Sequence, residues 1–416
     1  MNIVVAGDSV MWGQGLRSNQ KLHELAGREI AAEIGVPLSQ VEIRLHAHSG
    51  AVIAEPVSPP PLDTSTTSWQ EVPHSTPTIL AQVDRALPNA PQPDPAIDLV
   101  LLNGGINDIN FRVIFDPTAN DNELERRIRK NCYTDMKRLL RKTRHNFPNA
   151  VIVVTGYYPI LSEESRLNVV RLTVGLLTLT VGPAAPLVSA ALAQRAVRRL
   201  RYFHRRQLSW LRRTVTETHT DATTRGAGVL FAHPAFGPQN SVGASEPLLF
   251  GPQAPDDVDA AWERFRRRPL TNVLALEPDD PLSTSRRTAC EALVDDRTER
   301  LQCFVASLGH PNIQGARRYA DVIKSTFLTN RRISLRTSLS RVLGRAQAVS
   351  VRKALRRYGF GEAPMNLRSF SQHFIVDCID ITIKTRDERW AGTDHDVYLR
   401  IGPGWEWKLN ENVFEL

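Results

Sequence analysis

Residues 2–6, Asn2-Ile3-Val4-Val5-Ala6, form a short apolar run that stops at Gly7-Asp8-Ser9-Val10-Met11-Trp12-Gly13, and a helical pattern follows Gly13. A strand that feeds a helix through a tight turn is the repeating unit of parallel α/β sheets. Four more apolar runs, at 41–45, 98–103, 150–156 and 228–232, are separated by helical patterns. Their alternation predicts a parallel, doubly wound sheet with helices on both faces, a three-layer α/β/α architecture. A serine on the first strand-to-helix turn then lies at the C-terminal rim of the sheet. The free N–H groups of the helix that follows favour developing negative charge there.

Three later segments have the same form. Val41-Glu42-Ile43-Arg44-Leu45 ends in His46-Ala47-His48-Ser49-Gly50-Ala51. Asp98-Leu99-Val100-Leu101-Leu102 ends in Asn103-Gly104-Gly105-Ile106-Asn107-Asp108. Late in the chain, Ser307-Leu308-Gly309-His310-Pro311-Asn312 precedes a helix-like Gly315-Ala316-Arg317-Arg318-Tyr319-Ala320. Taken singly, each is a turn in which Gly supplies positive φ and Asn or Asp caps the chain locally. In this order, these blocks resemble those of the SGNH (GDSL-type) serine hydrolases over residues 1–328. The resemblance implies a flavodoxin-like fold and ester cleavage. Ser9 is then the nucleophile, and His310 takes its proton and returns it to the leaving alcohol. The Ser9 and Gly50 backbone N–H groups and the Asn107 side-chain amide become the oxyanion donors.

One position departs from the family pattern: where an aspartate usually stands three residues before the histidine, this chain has Ser307. Three arrangements fit. A backbone carbonyl or Ser307 itself orients His310, a carboxylate such as Glu291, Asp295 or Asp296 does so from elsewhere, or the site binds without turning over. His46, His48 and His233 compete less well for the base role than His310 in its His-Pro-Asn context.

Composition excludes several alternatives. The 416 residues are 42% apolar and 23% charged, an ordinary globular balance that suggests two domains. The first strand begins at residue 2 with no leader-like pattern before it, so the expected location is cytoplasmic or membrane-peripheral, or export without such a signal. The four cysteines, Cys132, Cys290, Cys303 and Cys378, make neither a disulfide framework nor a metal spacing. Cys290 and Cys303 bracket the approach to His310, where a bridge would stiffen the loop; free thiols are the expected state in a reducing compartment. No P-loop, zinc motif or dinucleotide fingerprint is present, so no cofactor or metal is expected.

The net charge of +8 is unevenly placed. Glu55 to Pro77 is rich in Pro, Ser and Thr and reads as a long loop beside Gly50. Residues 161–225 read as a helical insertion. Leu172 to Gln194 carries no charge, and Arg195, Arg198, Arg199, Arg201, Arg205, Arg206, Arg212 and Arg213 then follow with Tyr202, Phe203 and Trp210 among them. Such a segment suits an anionic lipid surface or, equally, a packed subdomain with a solvated Arg face. It does not read as a membrane span, since Ser9 and His310 lie on either side of it in the sequence and Gly182-Pro183 and Pro186 interrupt it. Residues 329–365 read as a basic amphipathic linker, with Leu335, Leu339, Val342, Ala346 and Val349 at near-helical spacing. No nucleic-acid-binding fold or motif appears. In the tail, residues 366–416, Cys378-Ile379-Asp380-Ile381-Thr382-Ile383-Lys384-Thr385 alternates as a half-buried strand should, and Ala391-Gly392-Thr393-Asp394-His395-Asp396-Val397-Tyr398 resembles part of a PLAT domain, a β-sandwich used at lipid surfaces. That resemblance implies a small C-terminal β module, for which Asp394 and Asp396 are a thin calcium-ligand set. The expected function is a serine hydrolase of acyl esters, lipid esters foremost. The alternatives are a deacetylase of carbohydrate or small acetyl esters, and a catalytically silent membrane-binding or interaction protein.

Overall fold

The structure, a computed structural model, describes residues 1–54, 71–72, 78–117, 119–178, 189–220, 228–252, 280–330, 397–400 and 406–410. The chain divides into two compact units, Met1–Arg341 and Val342–Leu416. In the first unit, β1 (Asn2–Ala6), β2 (Glu42–Leu45), β3 (Leu99–Leu102), β4 (Val151–Thr155) and β5 (Val229–Ala232) form one sheet in the order β2-β1-β3-β4-β5. Every pairing is parallel, as the alternation of apolar runs and helices predicts. The central strands β1, β3 and β4 are buried along nearly their whole length, so they read as unbroken apolar runs rather than alternating ones.

Helices α1 (Ser9–Trp12), α2 (Leu22–Ile34), α3 (Ile79–Arg85), α4 (Ile106–Ile109), α5 (Phe111–Phe115), α6 (Asp121–Arg129), α7 (Met136–Asn146), α8 (Leu167–Thr178) and α9 (Ala190–Thr220) connect and flank the strands. A π-helical turn, Lys130–Asp135, joins α6 to α7. The chain leaves β1 for β2 on one side and returns through β3 on the other, so the gap between β1 and β3 is the topological switch point. Open α/β sheets bind their ligands in the crevice at that point, outside the C-terminal strand ends.

The Arg-rich segment read as part of an insertion is the crossover helix from β4 to β5. α9 buries Ala193, Ala196, Leu200, Phe203, Leu211 and Val215. Its arginines are largely engaged within the fold. Arg199 is buried, donates to the Val113 and Ala119 carbonyls, and pairs with Asp121. Tyr202, Arg206 and Trp210 converge on Glu125, whose carboxyl is held down at about 2 chiefly by Arg206. Arg213 pairs with Glu217, and Arg201 with Glu163. Arg195, Arg198 and Arg205 remain exposed. Among the described residues no helix is long and apolar enough to cross a membrane.

Cys290 and Cys303 form a disulfide between helices Ser283–Leu293 and Arg297–Phe304, in place of the free thiols expected in a reducing compartment. Packing brings their Cα atoms to 5.9 Å, within bridging range, inside a small apolar cluster with Val72, Ala289, Val294 and Phe304. Replacing either cysteine by serine is expected to cost about 2–4 kcal/mol of stability, measured as a lowered denaturation midpoint under non-reducing conditions. An unchanged midpoint would show that the bridge constrains nothing in the unfolded chain. Cys132 is a buried free thiol, and Cys378 lies outside the described residues.

In the second unit, Val397–Arg400 and Glu406–Asn410 pair as an antiparallel hairpin. The basic linker from residue 331 onward, the stretch at 55–70, the middle of the uncharged segment at 179–188, and Asp394 and Asp396 all lie outside the described residues.

Candidate active site

Ser9 owes its position to a rigid turn. Gly7 has φ +155°, and a Cβ there would meet Asn103 Oδ1 at 2.0 Å, so the turn accepts only glycine. Asp8, fully buried, caps α1 by accepting from the Val10 N–H at 3.0 Å. Its carboxyl also accepts from Asn103 Nδ2 at 2.7 Å and from the Tyr157 hydroxyl at 2.5 Å. Burial raises the Asp8 pKa against the opposing pull of these three donors. Asn103 Oδ1 in turn accepts from the Asp8 N–H at 3.0 Å, tying the end of β1 to the end of β3. Gln82 on α3 brackets the Gly7 peptide, accepting from its N–H and donating to its carbonyl.

The Gly50 turn follows β2, with Gly50 at φ +75°. Asn107 donates through Nδ2 to the Ala51 carbonyl at 3.0 Å. Asp108 accepts from the Ile53 N–H at 2.9 and 3.1 Å. Burial is the main cause that lifts the Asp108 carboxyl to about 7. The Asn-Asp pair thus fastens the segment after β2 to the segment after β3. Ser9, Gly50, Asn107 and His310 all face one cavity of about 420 Å³. Phe111, Phe115, Tyr158, Ile160, Val294 and Leu308 supply much of its apolar wall. Among the described residues, neither the Ser9 nor the Gly50 backbone N–H has an acceptor, which leaves both available to a ligand.

His310 reaches Ser9 from the far end of the unit. Its Nε2 is 2.7 Å from Ser9 Oγ across 301 residues of sequence, so the hydroxyl donates to the imidazole when Nδ1 carries the ring proton. Backbone bonds hold the loop: Gly309 N–H donates to the Phe250 carbonyl, and Phe250 N–H to the His310 carbonyl, both at 2.8 Å. Nδ1 is buried without a hydrogen-bond partner among the described residues. Burial first, and the Arg286 guanidinium second, lower the His310 pKa to about 4. The carbonyls of Ser307, Leu308 and Ala306 pull the other way, although none meets Nδ1 in hydrogen-bond geometry.

Ser307 does not orient the ring with its hydroxyl. Its Oγ donates to Asp280 Oδ2 at 2.5 Å and accepts from Arg286 Nη2 at 3.1 Å. Position 307 is fully enclosed, and its Cβ and that of Asp280 lie within 3.2 Å of where a side chain on Gly15 would begin. None of the carboxylates considered from sequence meets His310 Nδ1: Glu291 pairs with Arg287 on the surface, Asp296 accepts from the Glu299 N–H, and Asp295 is exposed. Of the other histidines, His233 faces His204 at 5.9 Å between ring centroids, and His48 Nδ1 bonds the Ser49 carbonyl. Among the described residues, the imidazole hydrogen-bonded to Ser9 Oγ is that of His310. Sequence reasoning missed Tyr157, Glu71, Asp280 and Arg286, none of which carries a local motif.

No family model matches the chain, and no curated protein does. Among solved structures it is similar to an extracellular lipase from Streptomyces rimosus, at 14% identity and a TM-score of 0.39 over 78% of this chain and 99% of that one. It is also similar to phospholipase A1 from Streptomyces albidoflavus, at 14% identity and a TM-score of 0.35 over 62% of this chain and 89% of that one. A third likeness is to a carbohydrate esterase family 2 enzyme from Corynascus thermopiles, at 18% identity and a TM-score of 0.28 over 59% of this chain and 60% of that one. At TM-scores this low, the functional reading rests on the geometry of the site alone.

Proposed function

We propose that the chain is a serine ester hydrolase of the SGNH type, cleaving acyl esters, lipid esters foremost, with a Ser9–His310 dyad. The observation that carries this reading is the 2.7 Å approach of His310 Nε2 to Ser9 Oγ at the floor of an apolar cavity. Ser9 Oγ attacks the ester carbonyl while its proton passes to Nε2. The carbonyl oxygen takes up negative charge and is met by the Ser9 and Gly50 N–H groups and the Asn107 amide. The imidazolium then protonates the leaving alcohol, and water repeats the sequence to release the acid. A depressed imidazole pKa keeps His310 neutral, and so ready to accept a proton, at neutral pH.

The apolar wall supports an acyl group longer than acetyl. Each buried CH2 contributes about 0.8 kcal/mol, so kcat/KM is expected to rise about fourfold per added CH2 along a series of p-nitrophenyl esters until the cavity fills. A rate highest on acetyl and falling from there would favour the deacetylase reading. The partnerless Nδ1 of His310 favours a second reading, a silent binding protein. A serine-directed fluorophosphonate separates the two, since stoichiometric labelling of Ser9 refutes the silent reading and its absence refutes the hydrolase. An anionic membrane surface as partner predicts vesicle binding that weakens with salt. Binding unchanged by salt, or none, leaves the arginines as elements of the fold.

A further inference from the structure

Arg286 is fully buried, and its polar contacts explain how the fold tolerates it. Nη2 donates to Asp280 Oδ2 at 2.7 Å and to Ser307 Oγ at 3.1 Å, Nε donates to the Phe304 carbonyl at 3.2 Å, and Nη1 faces Glu71 Oε2 at 3.4 Å. Glu71 in turn accepts from Trp12 Nε1 at 2.7 Å, from Gln14 Nε2 at 2.9 Å and from the Gly15 N–H at 3.2 Å. Lys21 completes the group, its ammonium 3.0 Å above the Trp12 ring and drawn toward Glu71. One buried guanidinium therefore joins the helix that presents Ser9, through Trp12 and Gln14, to the 304–307 segment that delivers His310. An ion cluster of this kind is poor evidence for stability, because desolvating the charges offsets most of their attraction. What it does supply is a fixed geometry between the two parts of the site.

We propose that Arg286, clamped by Asp280, Glu71, Ser307 and the Phe304 carbonyl, is the positioning residue that sets His310 against Ser9 in place of an orienting aspartate. The proposal rests on the Ser9–His310 reading given above. The device differs from an aspartate in sign. A carboxylate on Nδ1 stabilises the imidazolium, whereas a fixed cation nearby destabilises it and lowers its pKa. Among the described residues, Ser9 from α1 bonds the ring, Arg286 from the helix Ser283–Leu293 and the carbonyls of Ala306, Ser307 and Leu308 act on its charge, and Glu299 from the helix Arg297–Phe304 lines the same cavity. Asp280 and Glu71 pair with Arg286, while Asp8 acts on Tyr157, Tyr158 and Asp108 instead.

The test is the acid limb of the kcat/KM–pH profile on a soluble p-nitrophenyl ester. In the wild type the limb is expected near the His310 value of about 4. Arg286→Met removes the cation and is expected to raise the limb by about one pH unit or more. Asp280→Asn removes a counter-charge and is expected to leave the limb in place or lower it. Arg286→Lys keeps the charge but loses the fork of hydrogen bonds. Its limb is expected to stay low while kcat falls about 10–100-fold with KM little changed, as misplacement of a reacting group predicts. A purely structural role would lower the amount of active protein without moving any limb. Should Arg286→Met fail to fold, the other two variants decide: a raised limb in either overturns the proposal, as does an unmoved limb in a folded Arg286→Met. Fluorophosphonate labelling of wild-type Ser9 stands apart from these outcomes. Its absence refutes the hydrolase reading itself, whereas labelling with unmoved limbs refutes only the role of Arg286.

Discussion

Replacing Ser9 by alanine is expected to lower kcat by about 10⁴–10⁶-fold on the best acyl ester, with His310→Ala falling into the same range. The two act as one unit, so either loss removes most of what both supply. The size of the drop is informative beyond its presence. In a subtilisin-type triad, loss of the nucleophile costs about 2 × 10⁶ and loss of the orienting aspartate alone about 3 × 10⁴, which leaves an unoriented serine–histidine pair worth only about 10². A Ser9→Ala drop near 100-fold would therefore identify His310 as a base left without effective orientation. A drop of 10⁴ or more requires that something other than an aspartate holds the ring. Ser9 is almost fully buried and the change removes one oxygen, so the variant keeps the α1 cap and the Gly7 turn intact. Equal activity in wild type and Ser9→Ala would refute the nucleophile. The measurement is single-turnover acylation alongside steady-state kcat, with the denaturation midpoint as a check that both variants fold.

What could be read from the sequence follows from how far each signal reaches. The five strands are legible because β1, β3 and β4 are apolar on both faces and end in residues such as Gly7 and Gly104, whose positive φ marks the turn locally. The residues around Ser9, Gly50, Asn107 and His310 are legible as blocks because each sits on its own strand end or loop, and the sheet order brings three of those ends together at the switch point. The partners of the α9 arginines are not legible, for the opposite reason. A charge run shows the cations, but the partners of Arg199 and Arg206, Asp121 and Glu125, lie 78 and 81 residues away on α6. The Arg286 cluster is harder still. Glu71 and Arg286 are 215 residues apart, and nothing in Asp279-Asp280-Pro281 distinguishes a buried carboxylate from a turn. The departure at Ser307 is visible in the sequence, yet its consequence depends on that invisible cluster, because Asp280 and Arg286 take up the Ser307 hydroxyl.

Asn107→Ala is expected to lower kcat by about 100–1,000-fold, equivalent to about 2.7–4 kcal/mol of transition-state stabilisation, with a much smaller change in KM. An oxyanion donor acts on charge that exists only in the transition state, so its loss falls on kcat rather than on substrate binding. Asn107 has a second duty, since one of its Nδ2 protons holds the Ala51 carbonyl beside Gly50. Part of the loss therefore comes from the Gly50 N–H moving out of line. Asp108→Asn helps to separate the two effects, because Asp108 fixes the same segment through the Ile53 N–H without facing the cavity. A loop contribution predicts that Asp108→Asn lowers kcat by a fraction of the Asn107→Ala effect, and the remainder belongs to the amide itself. Fluorophosphonate labelling gives an independent reading, because the reagent's oxygen takes the oxyanion position and its reaction rate should fall in parallel with kcat. An Asn107→Ala enzyme that labels and turns over at the wild-type rate would remove the amide from the oxyanion site and leave the two backbone N–H groups to bear the charge.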